Sequence, residues 1–187
     1  MENTLSIIPL GGVEEIGLNS TLFEYSNDMI IVDAGLMFPE EDMLGVDIVI
    51  PDFSYVLDNR EKVRGIVITH GHEDHTGALP FLLKELISKG GAEEDFPVYG
   101  TPLTLGLIRN KLVEHRLEKV RLIPVRPRDV IKLGVFNVEF VRVTHSIVDG
   151  VGLCIYTPFG RVVHTGDFKL DPTPVDGQLM DLHKFTE

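Results

Sequence analysis

The sequence has one cysteine, Cys154, and no tryptophan, and its first 59 residues hold no lysine or arginine. A lone cysteine excludes an intrachain disulfide and fits a reducing compartment, here the cytoplasm. No stretch reaches the ~18 uncharged apolar residues of a membrane span. The start, Met1-Glu2-Asn3-Thr4, lacks the basic and apolar regions of a signal peptide. Internal repeats, low-complexity tracts and Ser/Gly-rich linkers are missing too, so the 187 residues read as one domain or part of one. Twelve acidic residues in 1–59 account for the whole net charge of −12, and the remainder carries 17 charges of each sign. The broad basic face that supplies much of the affinity of nucleic-acid binders is therefore not a property of the whole chain. Basic residues concentrate only in 109–128: Arg109, Lys111, Arg116, Lys119, Arg121, Arg126 and Arg128, against Glu114 and Glu118. That stretch reads first as a solvated helix face and second as the lining of a polyanion's approach.

What is present is a series of short apolar, β-branched runs punctuated by turn signals. Strands are expected at 6–10, 20–25, 29–32, 65–69, 121–125, 136–144, 152–157 and 161–165. Ser26-Asn27-Asp28 and Thr157-Pro158-Phe159-Gly160 read as hairpin turns. A helix is expected at 78–89, with apolar residues at 79, 82, 83 and 86 and a stop at Gly90-Gly91. A second is expected at 101–119, opened by a Thr101 cap and Pro102 at the first helical position. Residues 182–187 read as the opening of a further helix. Many strands with helices between them argue for an α/β layered architecture.

The chemistry concentrates in Thr69-His70-Gly71-His72-Glu73-Asp74-His75-Thr76-Gly77, directly after the apolar run Gly65-Ile66-Val67-Ile68. Three histidines and two acids at the mouth of a buried strand would cost solvation without building a core. In an extended segment side chains i and i+2 point the same way, so His70 and His72 can grip one ion. Where the chain turns into a helix, Asp74 and His75 can face a second. Imidazole nitrogen and carboxylate oxygen suit zinc or another first-row ion. The competing reading is an exposed His-rich loop acting as a pH sensor, which would not need this spacing at a strand end.

HxHxDH after a strand resembles the signature of the metallo-β-lactamase superfamily. Val143-Thr144-His145-Ser146, Val163-His164-Thr165-Gly166-Asp167 and the early Asp33-Ala34-Gly35 match its order. The likeness extends further. Ile8-Pro9-Leu10-Gly11-Gly12, Glu15-Ile16-Gly17, Asp33 to Pro39, Pro97-Val98-Tyr99-Gly100-Thr101-Pro102, His145-Ser146-Ile147, and Val163 to Lys169 with Pro174-Val175-Asp176-Gly177 resemble the ribonuclease J family, of the β-CASP branch. Leu18 and Val148 depart from it, where relatives often carry Lys and Pro.

The resemblance implies an αββα sandwich, of which residues 1–187 form an N-terminal part. The cap domain, a further histidine ligand and the closing segment are expected beyond Glu187. It also implies two divalent ions, zinc or manganese. His70, His72 and His145 would hold the first, Asp74 and His75 the second, and Asp167 would bridge them. Asp33 would orient a ligand without touching metal. Asp74, Asp167 and His145 are the catalytic groups so implied. The activity would be 5′-to-3′ exonuclease and endonuclease cleavage of RNA in maturation and decay, in a cytoplasmic homo-oligomer with no membrane partner. A lactonase or thioester hydrolase on the same fold is the alternative. Another is that the 187 residues alone turn nothing over.

Other residues read as structural. His115 is expected on the surface, Glu73 facing solvent, and Cys154 as core filling. Ser146 reads as capping its own turn, and His164 as either a core histidine or a neighbour of the site. Gly11-Gly12 lacks the rest of a phosphate loop, and is expected to let backbone pass close under the metal site.

Overall fold

The computed structural model describes residues 4–186. Ten strands form two sheets. The first contains β1 (Leu5–Gly11), β2 (Ser20–Tyr25), β3 (Asp28–Val32), β4 (Val63–Val67), β5 (Val98–Gly100) and β6 (Leu122–Pro124), in that spatial order. β1 to β3 pair antiparallel, and β3 to β6 run parallel. The parallel part follows from its crossovers, which carry α1 (Ser54–Asp58), α2 (Glu73–Thr76), α3 (Leu79–Ser88) and α4 (Pro102–Glu114). The second sheet is an antiparallel meander of β7 (Val130–Leu133), β8 (Phe136–Arg142), β9 (Val151–Thr157) and β10 (Gly160–His164).

Alternation along β2, β3 and β4 builds two cores. Leu22, Met29, Ile31 and Ile66 point to one face, where Leu79, Leu82, Leu83 and Leu86 of α3 and Ile108 and Leu112 of α4 cover them. Phe23, Ile30, Val32 and Val67 point to the other, against Phe136, Val138, Phe140, Leu153 and Ile155 of the second sheet. Register keeps each set in line: Leu22 pairs with Ile31, Ile31 with Ile66, and Val32 with Val67. The layers run helix, sheet, sheet. On the far face of the second sheet the described residues place a 3₁₀ turn, Leu182–Phe185, whose Lys184 carbonyl accepts from Cys154 Sγ at 3.4 Å. Cys154 is fully buried, as expected of core filling.

Two strands escape the sequence reading, β5 and β7, with three and four residues. The second long helix ends at Glu114, short of 119, because Arg116 takes a left-handed φ of 61° and Leu117 N–H bonds back to Leu112 O. Such an end normally carries glycine. Thr101 stands at the cap, but its hydroxyl bonds Thr104 Oγ1 at 2.9 Å and no backbone N–H. The basic stretch 109–128 is therefore not one helix face. Lys111 pairs with Glu73, Arg121 bonds the Glu94 carbonyl, and Arg128 pairs with Asp181.

Candidate metal centre

β8 and β10 lie on either side of β9 and so run in the same direction. Asp33 follows β3, His70 to His75 follow β4, His145 follows β8 and Asp167 follows β10. Four carboxyl-terminal strand ends thus bring functional side chains together, the usual place for a site in layered α/β folds.

The loop after β4 is seated by backbone bonds. Asn19 N–H donates to Asp74 O, Ala34 N–H to His75 O, and Leu36 N–H to Glu73 O, at 2.9 to 3.1 Å. Gly35 lies so close beneath it that a Cβ there would meet Asp74 O at 1.6 Å. Asp33, fully buried with φ 63°, works at the centre of this seat. Its Oδ1 accepts Thr69 N–H and its Oδ2 accepts the Thr69 hydroxyl, both at 2.8 Å. Oδ2 also accepts His75 Nδ1–H at 2.8 Å.

These bonds fix which nitrogen of each ring faces inward. His75 is held through Nδ1 and turns Nε2 toward Asp74 Oδ2 and Asp167 Oδ2, each 3.6 Å away. Thr69 gives its hydroxyl proton to Asp33, so its oxygen accepts from His70 Nδ1 at 3.0 Å. His70 then presents the bare Nε2, 3.0 Å from His72 Nδ1. His145 closes the ring of imidazoles with its centroid 4.9 Å from that of His70 and 5.0 Å from that of His72. Its Nε2 lies 3.7 Å from Asp167 Oδ2.

Charge follows the same design. Burial alone would raise the Asp33 carboxyl, but His75, then His164 and the Thr69 N–H bond, outweigh it and hold the group below the ordinary aspartate value. Burial alone would lower His75, yet Asp33, then Asp74 and Asp167, raise it to about 9. Burial lowers His70 to about 3, with repulsion from His75 adding to it. Burial also lowers His145 and His164.

Among the described residues, two sets of ligand atoms lie within 4.8 Å of one another: His70, His72 and His145, and His70, His75 and Asp167. Unprotonated imidazoles with a carboxylate are the donors a first-row divalent ion takes. The sequence pattern of the metallo-beta-lactamase superfamily matches residues 15–183. The chain belongs to the metallo-beta-lactamase superfamily. Membership implies a divalent metal, and the His cluster is compatible with one.

A metallo-beta-lactamase fold protein of Bacillus subtilis superposes with TM-score 0.60 at 20% identity, covering 90% of this chain and 65% of that one. In sequence, ribonuclease J of Synechocystis sp. is 49% identical over 98% of this chain and 28% of its own length. Ribonuclease J of Thermus thermophilus is 48% identical over 100% of this chain and 32% of its own. The chain thus spans about a third or less of these relatives.

Within this superfamily site, several side chains gather that the sequence did not mark. Asn19 places its Nδ2 3.2 Å from His75 Nε2 and 3.4 Å from Asp74 Oδ2, and nothing in a lone asparagine 55 residues upstream announces it. Thr69 could have been suspected, since it precedes His70 at the strand end. The second ligand set joins His70 to His75 and Asp167, with Asp74 beside His75 outside the set, where the sequence reading paired Asp74 with His75. Glu73 is exposed, as expected, and its carboxylate also pairs with Lys111 at 2.5 Å. His115 is half-buried edge-on against Phe81, their centroids 5.1 Å apart, not a surface group. His164 is half-buried, and its Nδ1 accepts Gly166 N–H at 3.2 Å, which ties β10 to the Asp167 turn. Ser146 is exposed. Gly11 and Gly12 line a cleft of about 330 Å³ together with Asn19, Asp33, His75 and Asp167.

Proposed function

We propose that this chain is the N-terminal part of the metallo-β-lactamase domain of a ribonuclease of the ribonuclease J type. The reading rests on one observation above the rest: close to half of the residues match ribonuclease J sequences along almost the whole chain. Six side chains converging at three strand ends fit the same reading. His70, His72 and His145 hold one divalent ion, zinc or manganese. His75 and Asp74 hold a second, and Asp167 stands between them, within 3.7 Å of both His75 and His145 Nε2 atoms.

Ions so held would supply Lewis acidity and an activated water at neutral pH. The protein's own groups supply geometry. Asp33 and Thr69 fix the tautomers of His75 and His70 so that Nε2 faces the centre in both. Asp74 and Asp167 accept the water's hydrogens and aim its lone pair. In-line attack of a water oxygen on the phosphorus of an RNA phosphodiester would break the bond to the 3′-oxygen, which would take a proton from solvent, leaving a 5′-phosphate and a 3′-hydroxyl. In this reading the RNA runs between the centre and the cap domain, away from the acidic first third. Self-association and a cytoplasmic location belong to the same reading, the latter fitted by one buried free cysteine. No helix among the described residues is long and apolar enough to cross a membrane.

The test is turnover of 5′-monophosphorylated RNA by the whole protein with zinc or manganese, lost in His72→Ala. Rapid hydrolysis of lactones or thioesters beside inert RNA overturns the assignment.

A further inference from the structure

The loop carrying His70, His72, Asp74 and His75 is gripped from two sides. Its inner side bonds Asn19 and residues 34 and 36, as described. Its outer side leans on α4. A Cβ on Gly71 would lie 2.6 Å from Leu107 Cδ1, so loop backbone and helix touch. One turn further, Lys111 Nζ donates to Glu73 Oε2 at 2.5 Å and to Thr76 Oγ1 at 3.0 Å. Thr76 is fully buried, and its hydroxyl donates to the His72 carbonyl at 2.8 Å. That carbonyl also accepts His75 N–H at 3.1 Å and Thr76 N–H at 3.0 Å.

We propose that Lys111 is a positioning residue for the metal centre. Through the Thr76 hydroxyl and the Glu73 carboxylate it holds the first turn of α2, and so the backbone from which His72, Asp74 and His75 project. The inference rests on the metal reading of the site. A half-exposed Lys–Glu pair alone contributes little. What distinguishes Lys111 is its other acceptor. A threonine hydroxyl has a single proton. Thr76 gives its proton to His72 O, and Lys111 donates to the same oxygen from outside. Lys111 offers no lone pair to a metal while protonated. Its action is on the ligands' geometry alone.

The test compares wild type, Lys111→Met, Lys111→Arg and Glu73→Gln for zinc and manganese affinity by competition with a chromogenic chelator. Thermal midpoints of the EDTA-treated proteins are read alongside. Removing an outer partner of a metal ligand typically weakens binding 10–100-fold. Lys111→Met is expected at the low end, about tenfold, with the midpoint of the stripped protein little changed. Lys111→Arg keeps a two-pronged donor and restores most of the affinity. Glu73→Gln loses less, and adding it to Lys111→Met costs little more. Wild-type affinity in Lys111→Met overturns the clamp and leaves the metal reading standing. A loss that arginine does not rescue, with an equal fall in the stripped midpoint, shows mere packing and also overturns it. A wild type that binds neither metal overturns the metal reading and the clamp together.

Discussion

Asp33 Oδ2 accepts a hydrogen bond from His75 Nδ1–H at 2.8 Å across 42 residues of sequence. The same oxygen accepts the Thr69 hydroxyl, whose oxygen faces His70 Nδ1, so one buried carboxylate orients two imidazoles. Asp33→Asn keeps the shape and tolerates the positive φ, since asparagine visits that region readily. It removes the charge and replaces one of the two acceptor oxygens with an amide donor. Metal affinity is expected to fall about 10–100-fold, read by chelator competition, with secondary structure retained by circular dichroism.

Stripped of metal, the protein should be most stable near the ordinary histidine value of 6.5. Folding raises His75 to about 9, so its contribution is complete below 6.5 and lost as pH climbs through 9. Folding lowers His70 to about 3, so its cost grows as pH falls from 6.5 toward 3. Thermal midpoints in EDTA across that range should decline on both sides. A midpoint rising steadily to pH 9 would contradict the His75–Asp33 pairing.

Metal must then displace a proton. At neutral pH the stripped centre carries one on His75, and a ligand nitrogen has to be bare. Calorimetric titration of zinc in buffers of different ionisation enthalpy should show proton release, with affinity rising up to about pH 9.

Gly35→Ala places a methyl where Asp74 O already stands. Backbone cannot yield as a side-chain end does. A loss of about 3 kcal/mol or more is expected in urea unfolding, at the top of the range for overpacking. Gly106→Ala, with open space around its Cβ, is the control and should not destabilise.

Asp167→Ala should abolish hydrolysis while leaving the cores untouched. Asp167 is 44% exposed in its side chain, and among the described residues its ionic contacts are with His75 and His145. Single-turnover assays on 5′-monophosphorylated RNA measure the loss.

Periodicity alone made most of the fold legible. β2 was readable to the residue and α3 to within one residue at each end, because apolar spacing and Gly90-Gly91 mark them. β5 was invisible because three residues between prolines show no period. The end of α4 was hidden because arginine, not glycine, takes the left-handed turn. The histidines announced themselves by spacing. Asn19, Thr69, Thr76 and Lys111 did not, since what they do depends on partners that only folding brings near. Glu73 faces solvent as expected, but its ion pair was not legible, because its cation comes from 38 residues away.

Both candidate ligand sets begin at His70 and draw their last member from far along the chain, the first from His145 and the second from Asp167. A nascent polypeptide emerging from the ribosome therefore has a partial grip when His75 appears and cannot complete either set for many residues more. The second sheet must form and dock first. On the metal reading, ion capture would be a late event in biogenesis, and a loaded centre would certify that both sheets have already met.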